Sequence, residues 1–142
     1  MYTFNEAQRS AEIFMEAARQ PVRATPTTEI NPGEPERIKE VLNSEVEELH
    51  KAIAEKNLVE IADGIGDIIY VLLTVSATHG IDIGPVVQEI CNNNLLKLEK
   101  KPYQFSPTGK LLKPAGHPPP DIKGVLERQE NLLGFTYSVV LP

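Results

Sequence analysis

The chain has one cysteine, no long apolar run and no cluster of basic residues strong enough to set its net charge, and each lack removes a class of function. Cys91 stands alone, so no internal disulfide can form and a reducing compartment is the natural setting. No apolar stretch approaches the roughly 20 residues of a membrane span. The N-terminal residues, with Glu6 and Glu12 and no apolar core, do not read as a signal peptide. A soluble, cytoplasmic protein with no membrane partner is therefore expected. The net charge of −6 argues against a nucleic-acid partner, because phosphate backbones need gathered Lys and Arg. It leaves room for a phosphorylated small molecule if metal ions sit between the acids and the phosphates. There is no phosphate-binding loop of the G-x-x-x-x-G-K type. His50, His79 and His117 lack zinc-ligand spacing, and no local arrangement of Ser, His and Asp points to a triad.

What is present suits one domain: 142 residues, 41% of them apolar, with no internal repeat. Most of the twelve prolines fall within 21–35 and 102–120, so a helical block of about 4–100 is followed by an irregular, extended segment over 101–142. Thr3-Phe-Asn-Glu6 forms a capping box for a first helix to about Gln20, with Ala7, Ala11, Phe14, Met15 and Ala18 on its apolar face. After a turn-rich loop, Pro35 suits the first residue of a second helix over 36–56. Ile38, Leu42, Val46, Leu49 and Ile53 form its stripe. A third helix over 58–79 places Ile61, Ile65, Ile68, Leu72 and Val75 on a similar stripe. Its second half, IIYVLLTV, is apolar nearly all round and belongs in a core or an interface. Gly80 terminates it. A fourth helix from Pro85 to about Lys100 turns Val87, Ile90, Cys91 and Leu98 inward. Beyond it, Ser106-Pro-Thr-Gly109 is a turn whose flanks can pair as a short hairpin, and Asp121 caps a short helix to about Glu130. Residues 131–142 are compatible with a strand, a swapped arm or a loose tail. The expected fold class is all-α, a four-to-five-helix bundle.

Acids stand where a solvated face does not explain them. Glu45 and Glu48 share a line beside the apolar stripe of the second helix, and Glu60, Asp63 and Asp67 share one on the third. Asp67 is followed by IIYVLL, so its carboxylate is expected to be at least partly buried, which is costly without a positive partner. Glu47 has Lys51 one turn later and reads as an ordinary surface pair. The others have no such relief, since residues 57–96 contain no Lys or Arg. Such a group suits hard divalent cations that prefer oxygen ligands. Mg²⁺ is the natural choice because substrate phosphates complete its shell, and Mn²⁺ is a substitute.

With Glu45-Val-Glu-Glu48-Leu, EIADGIGDIIYVL over 60–72 and NNLLK over 93–97, the sequence resembles the all-α nucleoside triphosphate pyrophosphohydrolases. These include MazG-like proteins, dimeric dUTPases and phosphoribosyl-ATP pyrophosphohydrolases. The resemblance covers about residues 10–125 and implies a homodimer or homotetramer that cleaves a nucleotide between its α- and β-phosphates. Glu45 and Glu48 match the family's E-x-x-E metal ligands, and Asp67 matches the acid that closes its E-x-x-D. Asn94 and Lys97 match positions expected to contact substrate phosphates. Ser44 stands where the family often has a further Glu. Gly64 replaces the acid three residues before Asp67, so Asp63, on nearly the same face, takes that role with Glu60 in reserve. Glu48 is assigned as the base that orients or deprotonates water. Tyr70, one turn past Asp67, is a candidate for lining a base pocket, and Lys110 for reaching the triphosphate.

The expected function is Mg²⁺-dependent hydrolysis of a nucleoside triphosphate to monophosphate and pyrophosphate, serving nucleotide-pool housekeeping. One alternative is phosphoribosyl-ATP as substrate. Another, of a different class, is a non-catalytic helical module that binds a cation or a basic partner.

Overall fold

The computed structural model describes residues 1–130; the stretch 131–142, for which three conformations stood open, lies outside the described residues. The fold is all-α. Helices α1 (Phe4–Ala17), α2 (Glu34–Ala54), α3 (Leu58–Thr78) and α4 (Ile83–Leu96) follow in order, with a 3-10 turn over Lys97–Glu99 and a helical stretch at 122–130. Among the described residues there is no strand, and no helix is long and apolar enough to cross a membrane. The chain forms two compact units, Met1–Ile83 and Gly84–Pro142.

In the first unit the expected caps are present. Thr3 Oγ1 accepts from the Glu6 amide at 3.2 Å, and Glu6 Oε2 accepts from the Thr3 amide at 2.7 Å. Helix α2 begins at Glu34, one residue ahead of Pro35, because the buried Glu34 carboxylate is held in place. Arg23 donates to its two oxygens at 3.2 and 2.8 Å, and the Asn31 amide donates as well. Arg23 also donates to the Thr78 carbonyl at 2.8 Å, so the loop after α1 is fastened to the end of α3. The Arg23 and Thr27 amides reach the Ala77 and His79 carbonyls at 3.0 and 2.9 Å. Gly80, at φ +66°, permits this closure, since a Cβ there would collide with the Thr25 carbonyl oxygen.

Helix α3 packs on both α1 and α2, so its buried residues do not form the single stripe that spacing suggests. Gly64, Val71, Leu73, Ser76, Ala77 and Thr78 are buried, whereas Ile65 and Leu72 are 48% and 45% exposed. On α1, Ala11 and Met15 are fully buried as expected, but Phe14 is exposed. Lys51 pairs loosely with Glu55 at 3.9 Å rather than with Glu47.

In the second unit, Cys91, Ile90 and Leu98 are exposed, contrary to the inward face expected of α4. The residue buried there is Asn93, whose amide donates to the Pro118 carbonyl at 2.9 Å and whose Oδ1 meets His117 Nε2 at 3.0 Å. A polar anchor for the proline-rich segment therefore takes the place of an apolar stripe. The turn after Ser106 forms as expected: the Ser106 amide donates to the Lys110 carbonyl and the Leu112 amide to the Gln104 carbonyl, both at 2.8 Å. Asp121 caps the helical stretch through Oδ1, which accepts from the Gly124 amide at 3.0 Å.

The α2–α3 contact is tight at Gly64, where a Cβ would stand 3.3 Å from both Cα and Cβ of Leu49. A carboxylate chain has no room there, and burying its charge would add to the crowding. Gly64→Glu should therefore lower the thermal midpoint by several degrees, seen by circular dichroism, while Gly66→Glu, at a glycine with nothing within 4 Å of its added Cβ, shifts it far less.

Candidate active site

The close approach at Gly64 brings the acid line of α2 opposite that of α3. Glu45 is the centre of the group. Its Oε2 is buried with no hydrogen-bond partner. Burial pushes its carboxyl above the usual carboxylate range, and Asp67, Glu48 and Asp63 push it further in that order. Asp67 is half-buried, as its apolar neighbours imply, whereas Glu48 and Asp63 are exposed. None of the four forms an ion pair among the described residues.

Among the described residues, no three His, Cys, Asp or Glu side chains are gathered tightly enough to hold a metal ion as they stand. The four acids are neighbours rather than a formed cage. They lie on two helices that pack on each other, Glu45 and Glu48 on α2 and Asp63 and Asp67 on α3, with Glu48 and Asp63 exposed. Glu60 is outside the group: it is exposed in the first turn of α3 and contributes nothing to the shift at Glu45.

Beside Glu45 and Asp67 lies a cleft of about 280 Å³, lined also by Phe14, Arg37, Tyr70 and Thr74. The Phe14 and Tyr70 rings meet edge to face, with centroids 6.2 Å apart. Tyr70 is thus at the cleft, where the sequence suggested a base pocket. Arg37 and Phe14 were not anticipated. Arg37 precedes Val41 and Glu45 at steps of four, a helical line that extends the acid line backwards, so its placement was readable. Phe14 carried no such signal, because its spacing on α1 is that of a core residue.

The remaining candidates belong to the second unit. Asn94 is exposed, and its Oδ1 accepts from Lys97 Nζ. Lys97 lines a separate pocket. Lys110 is exposed at the turn, where its amide donates to Ser106 Oγ at 3.0 Å, and it lines neither of these two cavities.

A raised Glu45 contributes stability that is present below its ordinary pKa of 4.5 and is lost as pH rises through the higher folded value. At neutral pH, in the presence of a chelator, its charge therefore opposes folding. Glu45→Gln should raise the thermal midpoint at pH 7, with the gain shrinking to nothing as the pH falls below 4.5. A lower midpoint for the variant at pH 7 would contradict this.

Comparison with curated proteins finds no match. A family model described as phosphoribosyl-ATP pyrophosphohydrolase matches residues 11–94, a span that contains the four clustered acids, the cleft and Asn94. This match covers more than half of the chain, and the chain belongs to the phosphoribosyl-ATP pyrophosphohydrolase family, within the all-α, MazG-like pyrophosphohydrolases.

Proposed function

We propose that the protein hydrolyses phosphoribosyl-ATP between its α- and β-phosphates, releasing phosphoribosyl-AMP and pyrophosphate. The observation that carries this reading is the match to a pyrophosphohydrolase family over the residues that hold the acid group. The unpartnered, buried Glu45 oxygen supports a cation in the reaction, because a carboxylate among three others needs positive charge to stay ionised. Glu45, Glu48, Asp63 and Asp67 are the proposed ligands of Mg²⁺, or Mn²⁺ in its place, with Glu60 a more distant reserve. When bound, such ions would neutralise phosphate charge and make a water more acidic.

The side chains divide the remaining work. Glu48, exposed beside Glu45, takes the proton of the attacking water on a carboxylate oxygen. Tyr70 and Phe14 offer ring surface to a base, and Arg37 offers a charge-assisted fork to a phosphate. Asn94, Lys97 and Lys110, all of the second unit, are proposed in their own right to contact phosphate. A free nucleoside triphosphate is the second reading. It is favoured by the cleft's volume, about 280 Å³, which falls just below the usual range for small-molecule pockets and suits a nucleoside portion.

A homodimer or homotetramer is part of the proposal. On α3, Leu58, Ile65, Ile69 and Leu72 lie in one line at 77%, 48%, 45% and 45% exposure. Leaving such a stripe in water is unfavourable, and a second helix of the same kind would cover it. Ile69→Lys should shift the sedimenting species toward single chains without loss of helical signal.

The substrate test is a panel of phosphoribosyl-ATP and free nucleotides with Mg²⁺, scoring pyrophosphate against orthophosphate. Pyrophosphate from phosphoribosyl-ATP is expected, with Asp67→Asn at least about 100-fold slower. Turnover of free triphosphates alone would select the second reading. Mg²⁺ binding with no pyrophosphate from any compound would instead favour a non-catalytic cation-binding module.

A further inference from the structure

The second unit contains a pocket that the acid site does not use. Five of the chain's nine lysines fall within residues 97–113, where Glu99 is the one acid. Four of them, Lys97, Lys100, Lys101 and Lys113, line a pocket of about 230 Å³ together with Tyr103 and Gln104. No Asp or Glu lines it, and among the described residues none of the four lysines pairs with a carboxylate.

Several contacts build this pocket. Lys100 Nζ donates to the Ala115 carbonyl at 3.0 Å, which joins the outgoing and returning legs of the turn. Tyr103 Oη donates to the Leu98 carbonyl at 2.9 Å, and Lys101 Nζ lies 5.8 Å from the Tyr103 ring centroid, a cation–π distance. The Phe105–Leu111 bridge pairs the two legs of the turn, and Leu111 lines the pocket. Lys97 and Lys100 each spend one donor on an acceptor within the chain, Lys101 and Lys113 spend none among the described residues, and an ammonium group has three to give. A concave surface of one sign concentrates the opposite ion. Its size and its several separate point charges suit an anion bearing charge on more than one phosphorus.

We propose that this pocket binds the polyphosphate group of a small molecule, of the pyrophosphate or triphosphate class, without needing a metal ion. Lys97 is shared with the proposed catalytic reading; the other three lysines are not.

Titration calorimetry in EDTA, which silences any metal-dependent site, tests the proposal with pyrophosphate, tripolyphosphate, a non-hydrolysable nucleoside triphosphate and sulfate. Saturable one-to-one binding of pyrophosphate is expected, weakened at least about tenfold by Lys100→Gln with Lys113→Gln, and unchanged in Glu45→Gln. Lys113→Gln alone serves if the double variant does not fold, since no hydrogen bond of the Lys113 side chain is lost. Lysine-to-arginine exchange at both positions should restore binding. Tighter binding of the nucleotide than of tripolyphosphate identifies a nucleotide tail as the occupant, and equal binding identifies the free polyphosphate. The proposal is overturned if pyrophosphate does not saturate, if sulfate binds equally well, or if the lysine variants bind as the wild type does. None of these outcomes depends on turnover, so a failure of the catalytic reading remains distinguishable.

Discussion

Helices α2 and α3 pack closely where Gly64 faces Leu49, and the acids of the two helices flank that contact. Removing a side chain at position 64 lets two backbones come within reach of one another. The Glu45 carboxyl is raised there, first by its burial and then by Asp67, Glu48 and Asp63. The same contact explains why an acid at position 64 is absent here although the family pattern has one. The space is filled by Leu49 of α2, and the nearest acid is Asp63, one step earlier.

A second constraint fixes the other end of α3. The buried Glu34 is held below the usual carboxylate range chiefly by the Arg23 hydrogen bond, against the opposing effect of its own burial. Glu34 and Glu45 lie on one helix and are both removed from solvent, yet their carboxyls shift in opposite directions. One has a guanidinium and a backbone amide as partners; the other has three acids nearby. The contrast separates structure from chemistry on α2. Glu34 is satisfied within the chain and fastens a loop, whereas Glu45 is not and calls for something from outside.

Local chemistry made much of the fold readable in advance. The Thr3–Glu6 box, the Asp121 cap, the Ser106–Gly109 turn and the breaks at Gly80 and Pro102 each depend on a few adjacent residues. The faces of α3 and α4 were less legible. A helix that packs on two neighbours buries more than one stripe, so Ile65 and Leu72 could not be placed by spacing alone. On α4 the buried polar residue is Asn93, one step and about 100° about the axis from the candidate Asn94. Nothing within the helix distinguishes the two, because the partners of Asn93 are His117 and the Pro118 carbonyl, more than twenty residues away. At the site, the clustering of Glu45, Glu48, Asp63 and Asp67 was legible because the acids lack local bases. The Phe14–Tyr70 contact was not, since it joins two helices whose relative rotation no spacing encodes.

The net charge of −6 hides a division along the chain. Residues 57–96 carry five acids and no lysine or arginine, while 97–113 carry five lysines and one acid. An acid-lined cleft repels a triphosphate until cations neutralise it, so acids alone make a poor first contact for such a substrate. Lysines attract the same anion without any metal. Screening limits either influence to about 10 Å at ordinary ionic strength, and a single averaged surface would give neither. The two signs are separated along the chain, so the field near each segment keeps its own sign instead of averaging to the net value.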